Sequence, residues 1–156
     1  MGWASDRGHV EVVLVLPQKG ADVKARQADY LTPLHVAQGD EVTLLFLKYG
    51  ADNNARNFKG QTPVASCVTS RTCGNFRVLL ENGTDANARD DNNASPFHLA
   101  YGLLSGRECA DIVRLLLKLK PEYRSNINAQ DNKGQTPFMI ATENGEHDVG
   151  VRRRGS

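Results

Sequence analysis

Apolar residues fall in short runs that return at a regular interval along the chain. Val42, Leu44, Leu45, Phe46 and Leu47 form one run, Phe76, Val78, Leu79 and Leu80 a second, and Ile112, Val113, Leu115, Leu116 and Leu117 a third. Their i, i+3, i+4 spacing predicts one helix for each run. Ahead of each stands a hydroxyl residue followed by proline. The pair returns four times, as Thr32-Pro33, Thr62-Pro63, Ser95-Pro96 and Thr136-Pro137, with spacings of 30, 33 and 41 residues from one proline to the next. Thr or Ser before Pro starts a helix, because the hydroxyl can cap and Pro is accepted in the first turn. Phe97, Leu99, Ala100 and Leu103 then suit a short first helix. Each period therefore predicts two helices, the second closed by a glycine (Gly20, Gly50 or Gly83) that reaches the left-handed conformation without strain.

A second phrase keeps step with the first. Gly20-Ala21-Asp22-Val23-Lys24-Ala25, Gly50-Ala51-Asp52-Asn53-Asn54-Ala55 and Gly83-Thr84-Asp85-Ala86-Asn87-Ala88 are three copies, and Asn126-Ile127-Asn128-Ala129 is a looser fourth. The Asp/Asn-rich stretches that follow, up to Gly60 or Gly134, carry turn chemistry. Periods of this length mean stacked repeats.

Together with Thr32-Pro33-Leu34-His35-Val36-Ala37, Gly8-His9-Val10-Glu11-Val12-Val13 and Lys59-Gly60-Gln61-Thr62-Pro63, these phrases resemble the ankyrin repeat from about residue 4 to residue 149. The resemblance implies an all-α ankyrin-repeat solenoid of stacked helix-turn-helix units with protruding turns. The expected organisation is one domain over 1–156, with partial units at 4–25 and 131–151 and complete ones at 26–56, 57–89 and 90–130.

Departures from the pattern carry expectations of their own. The second unit is three residues short between Ala37 and Val42, so its first helix should be clipped or tilted. The fourth has extra residues around Leu104 to Arg107 and between Leu117 and Asn128, where Pro121 replaces the terminating glycine. Tyr30 and Asn93 stand where a glycine would open the turn, and Pro17 should shorten the helix it sits in. The chain opens within a repeat at Ala4-Ser5 and closes on Arg152-Arg153-Arg154, and neither end resembles a polar cap, although Trp3 can lie over the first unit. Frayed ends and self-association through them are expected.

Composition narrows the function. Hydrophobic residues make up 40% and charged residues 24%, the balance of a folded soluble domain. Nineteen Lys plus Arg against eighteen Asp plus Glu leave a net charge of +1, which gives bulk binding of nucleic acid or a membrane surface no support. The apolar stretch from Val12 to Leu16 is too short to span a bilayer and lacks the flanks of a signal peptide. Three cysteines, Cys67, Cys73 and Cys109, point to a reducing compartment, so the expected location is the cytoplasm, with the nucleus as the alternative.

The candidate chemistry is sparse. His35 and His98 match in position, with Ala65 and Met139 in the equivalent places, and the ankyrin resemblance gives this histidine a structural role tying neighbouring turns together. Cys67 takes the slot of Ala37, Ala100 and Ala141 and reads as a small buried residue. No zinc spacing, nucleophile motif or phosphate-binding glycine loop appears, so no metal, cofactor or catalytic residue is expected. Asn82-Gly83-Thr84 and Asn93-Ala94-Ser95 match the glycosylation pattern but fall at turns the repeat explains. Arg26, Arg56 and Arg89 recur once per unit, with Gln130 in the fourth place. They read either as a cationic strip or as local partners of acids such as Asp90, or as solvated groups.

The resemblance implies that turn tips and first-helix faces form a concave surface for another protein. Mapped here, the tips present Asp29 and Leu31, then Phe58, Lys59 and Gln61, then Asp91 and Asn92, then Asn132, Lys133 and Gln135. The first-helix faces add Thr69, Ser70, Leu103, Glu143 and Asn144, and Phe58 is the expected anchor, its alternative being packing onto a neighbouring turn. The function expected is non-catalytic protein binding, as an adaptor, inhibitor or targeting module. Two alternatives remain open: a structural piece of a longer ankyrin array, and an enzyme or metal protein built on the same scaffold.

Overall fold

Every Thr-Pro or Ser-Pro pair starts a helical element in the computed structural model, which describes residues 15, 19–70, 73–103, 111–114, 116–117 and 126–143. In chain order these residues form a 3-10 turn Pro33–His35, α1 (Asp40–Lys48), α2 (Pro63–Ser70), a 3-10 turn Cys73–Asn75, α3 (Phe76–Glu81), α4 (Pro96–Leu103) and α5 (Pro137–Glu143). Residues 111–114 and 116–117 are also helical, and the described residues contain no strand. Trp3, Pro17, the Leu104 to Arg107 stretch, Cys109, Pro121, Asn144 and the three terminal arginines lie outside the described residues.

The helices make two layers. The first helices form one row, in which α2 packs on α4 and α4 on α5, and α1 packs on α3 in the other. Between the rows lies a continuous core in which Leu34, Phe46, Val64, Phe76, Leu79 and Leu116 have no measurable exposure. Burial of each such side chain contributes roughly 1.5–3 kcal/mol, so the stacking itself holds the fold. Gly50 and Gly83 end α1 and α3 at φ 80° and 84°, as their place after the apolar runs predicts.

The shortening between Ala37 and Val42 has the expected effect. The element after Thr32 is only the three-residue turn Pro33–His35, whereas α2 and α4 each run for eight residues. One core position departs from the apolar pattern. Counting back from the closing glycine, Asn75 stands where Val42 stands one repeat earlier, and it is fully buried. Its amide donates to the Ala37 carbonyl (3.0 Å) and to Thr43 Oγ1 (2.8 Å), and its Oδ1 accepts from Cys67 Sγ (2.9 Å). Cys67 is buried as expected, but as a hydrogen-bond donor and not only as a small apolar residue.

Candidate functional site: the turn tips and first-helix faces

Four turns project from the stack with one shared backbone geometry. In each, a residue closes a five-residue loop by donating its N–H to a carbonyl four positions on: Gln27 to Leu31, Asn57 to Gln61, Asp90 to Ala94 and Asp131 to Gln135, all at 3.0 Å. Tyr30, Gly60, Asn93 and Gly134 take the left-handed conformation at φ 57°, 71°, 60° and 74°. Three of the turns are templated by a side chain. Oδ1 of Asn57 accepts the N–H groups of Lys59 (2.9 Å) and Gln61 (3.0 Å), and Asp90 and Asp131 do the same for the residues two and four places on. These carboxylates and this amide fix the tips; the recurring Asn/Asp three places before the left-handed residue is the sequence signal that marks them.

Neighbouring tips are tied by a main-chain ladder. Phe58 N donates to Asp29 O, Asp91 N to Lys59 O and Asn132 N to Asn92 O, each at 3.0 Å. The arginine row adds a second set of ties. Arg26 Nη1 donates to Arg56 O (3.2 Å), Arg56 Nη1 to Arg89 O (2.6 Å) and Arg89 Nη1 to Gln130 O (3.0 Å). Arg56 and Arg89 also reach the carbonyls of Gly60 (3.0 Å) and Asn93 (2.6 Å) in their own tips. This corrects the reading of local pairing with Asp90: these guanidinium groups donate to backbone carbonyls of the next repeat, and Asp90 accepts backbone N–H groups.

The histidines stitch tips to helices. Thr32 N–H (3.1 Å) and Thr32 Oγ1 (2.8 Å) meet His35 Nδ1, and Nε2 meets the Gln61 carbonyl at 3.0 Å. Ser95, His98 and the Gln135 carbonyl repeat the arrangement. Because the backbone N–H donates to Nδ1, the ring is neutral with its proton on Nε2. Burial lowers the pKa of both rings, working against the hydrogen bonds to the Gln61 and Gln135 carbonyls. At Ala65 the histidine is missing, and Thr62 Oγ1 is buried without a partner among the described residues.

Six of the expected surface residues meet at one place. Leu31, Phe58, Lys59, Gln61, Thr69 and Ser70 line a cavity of about 200 Å³ between the second tip and α2. Phe58 stands 54% exposed above it, with Lys59 Nζ 5.3 Å from its ring centroid. Gln61 is not free at the tip as the sequence suggests; it is buried to 7% exposure on the cavity floor. The remaining positions continue along the ladder. Asp29, Asp91, Asn92, Asn132 and Lys133 are exposed at their tips, while Gln135 is half-buried and donates to Glu143 Oε2 (2.7 Å). Leu103 ends α4.

A second cavity, of about 350 Å³, lies at the far end of the described stack beside Tyr101, Leu117, Ile127 and Phe138. Phe138 is 72% exposed at the position where Leu34, Val64 and Phe97 are buried. Among the described residues no group of three His, Cys, Asp or Glu side chains is placed to hold a metal ion, and no helix is long and apolar enough to cross a membrane.

Comparison with known proteins agrees with this architecture. The family model for ankyrin repeats in three copies matches residues 1–90 and again 72–151. An ankyrin repeat protein of fowlpox virus (strain NVSL) is 28% identical over 152 residues, which cover 94% of this chain and 44% of the viral protein. The E3 ubiquitin-protein ligase KEG of Arabidopsis thaliana is 32% identical over 110 residues, 70% of this chain and 6% of the ligase. The B-cell lymphoma 3 protein homolog of Mus musculus is 31% identical over 124 residues, 77% of this chain and 26% of that protein. The chain thus spans less than half the length of each of these relatives. With repeated helix pairs, tips in register and family-model matches along most of its length, the chain belongs to the ankyrin repeat family, whose repeats serve in general as non-catalytic protein-interaction modules.

Proposed function

We propose that residues 1–156 act as one protein-binding domain, an adaptor, inhibitor or targeting module that holds a partner on the surface made by its turn tips and first helices. The observation that carries this reading is Phe58. It is an aromatic side chain 54% exposed on a tip whose backbone is held on both sides, by Asp29 O and by the Asp91 N–H to Lys59 O bond. A rigid exposed aromatic offers a partner apolar area at little entropic cost, which is why such residues dominate binding energy.

The test is an affinity capture with cross-linking, followed by measurement of the captured partner against Phe58→Ala. The variant should keep its circular dichroism and weaken binding by on the order of tenfold or more, the effect of losing a hot-spot residue. Unchanged affinity would remove Phe58 as the anchor, and cross-links confined to the opposite face would remove the surface.

A further inference from the structure

The row of first helices has a gap. α2 and α4 run for eight residues, but the element beside α2 is the three-residue turn Pro33–His35. The last turn of α2 therefore has no first helix next to it on that side among the described residues. The cavity of about 200 Å³ occupies this place, walled by Ser66, Thr69 and Ser70 of α2, by Val36 and by the second tip. A three-residue deficit in the sequence has thus opened a notch in the middle of the concave surface.

The polar hydrogens around the notch show what it would accept. Thr69 and Ser70 donate to the Ser66 carbonyl at 3.0 and 2.7 Å. Asn57 uses Oδ1 for two backbone N–H groups, so its Nδ2 is the donor that faces Gln61, at 3.5 Å from Oε1. Nε2 of Gln61 then has no partner among the described residues, and it belongs to a residue that lines the cavity and is only 7% exposed. Lys59 Nζ, over the Phe58 ring, has no carboxylate partner among the described residues either. Two side chains that can donate and have no protein acceptor among the described residues line one cavity, and one of them is an ammonium, which favours a charged acceptor.

Resting on the protein-binding reading above, we infer that this notch receives an extended segment of the partner that places an apolar side chain against Leu31, Val36 and Phe58 and a neighbouring carboxylate on Gln61 Nε2 and Lys59 Nζ.

The probe is a displayed library of random peptides panned against the full chain, with selected peptides resynthesised and titrated by fluorescence anisotropy. The enriched peptides should share an aliphatic or aromatic residue beside Asp or Glu. Affinity should fall about tenfold with Lys59→Gln, with Gln61→Leu, or when the acid is replaced by its amide, and stay unchanged with Arg77→Ala on α3, away from the tips. Restoring three helix-forming residues after Ala37 should fill the notch and abolish binding. Lys59→Gln lies on the surface and keeps the test valid should the insertion fail to fold. Enriched peptides without an acid, affinities indifferent to Lys59 and Gln61, or failure to enrich any peptide would overturn the inference. Peptides that instead respond to Asp91→Asn and Asn132→Ala would sink the notch and leave the binding surface standing, while indifference to every tip substitution would sink both.

Discussion

Asp91 lies against Gly60 so closely that a β-carbon at residue 60 would sit 2.9 Å from both the Cγ and the amide nitrogen of Asp91. That same nitrogen donates to Lys59 O, so the contact is part of the ladder that joins the second tip to the third. Gly134 holds the same left-handed conformation with nothing within 4 Å of its notional β-carbon. Two glycines at one repeat position thus answer to different constraints, one to backbone conformation alone and the other also to the neighbouring tip.

Gly60→Ala should therefore cost more than Gly134→Ala. The left-handed conformation alone costs an alanine about 1–2 kcal/mol, and at residue 60 the third tip must also move. Urea unfolding of the two variants reads the difference, and equal losses would mean that the tips are not packed as described. Tyr30→Gly, at φ 57° in the first tip, should shift stability the other way.

Thr62→Val should stabilise the protein by about 1 kcal/mol, because it removes a buried hydroxyl that has no partner among the described residues. The same change at Thr32 should destabilise it, since that hydroxyl meets His35 Nδ1 at 2.8 Å. Thermal melting of both variants gives opposite signs if the missing histidine at Ala65 is the cause. A loss at residue 62 would show the hydroxyl to be engaged.

Stability should decline as pH falls through the ordinary histidine range. Burial lowers the pKa of His35 and His98 in the folded chain from 6.5, so the unfolded chain takes up protons first. The stabilisation from the two neutral rings is complete above about pH 6.5 and is lost as pH falls below it. Denaturant midpoints measured from about pH 7.5 to 5 should drop, and less so in His35→Gln measured against its own value at the higher pH. A flat profile would mean that the rings take up protons as readily in the folded chain as in the unfolded one.

Much of the architecture is readable from local pattern. Register alone puts Tyr30 and Asn93 in the turn-opening place, and both take positive φ, because a repeat imposes the same backbone on every copy. The three-residue deficit before Val42 likewise foretells the short Pro33–His35 turn, since a chain with fewer residues between two fixed elements must surrender helix. Arg26, Arg56 and Arg89 are different. Their partners are main-chain carbonyls of the following repeat, which leave no side-chain signature for a reader of the sequence. Asn75 could have been noticed as a polar residue in a valine slot, but its three partners come from Ala37, Thr43 and Cys67 and are assembled only by stacking.

By itself the sequence determined the repeat, its helix starts and stops, and which residues stand on the tips, because proline, glycine and apolar spacing act over a few neighbouring residues. Tertiary structure alone decided that Gln61 is buried in the lining of the cavity, that Gly60 must yield to Asp91, and that the missing turn of helix becomes a notch. Those outcomes depend on how closely one repeat approaches the next, a distance set by side-chain volumes across the shared core and not by any local preference of the chain.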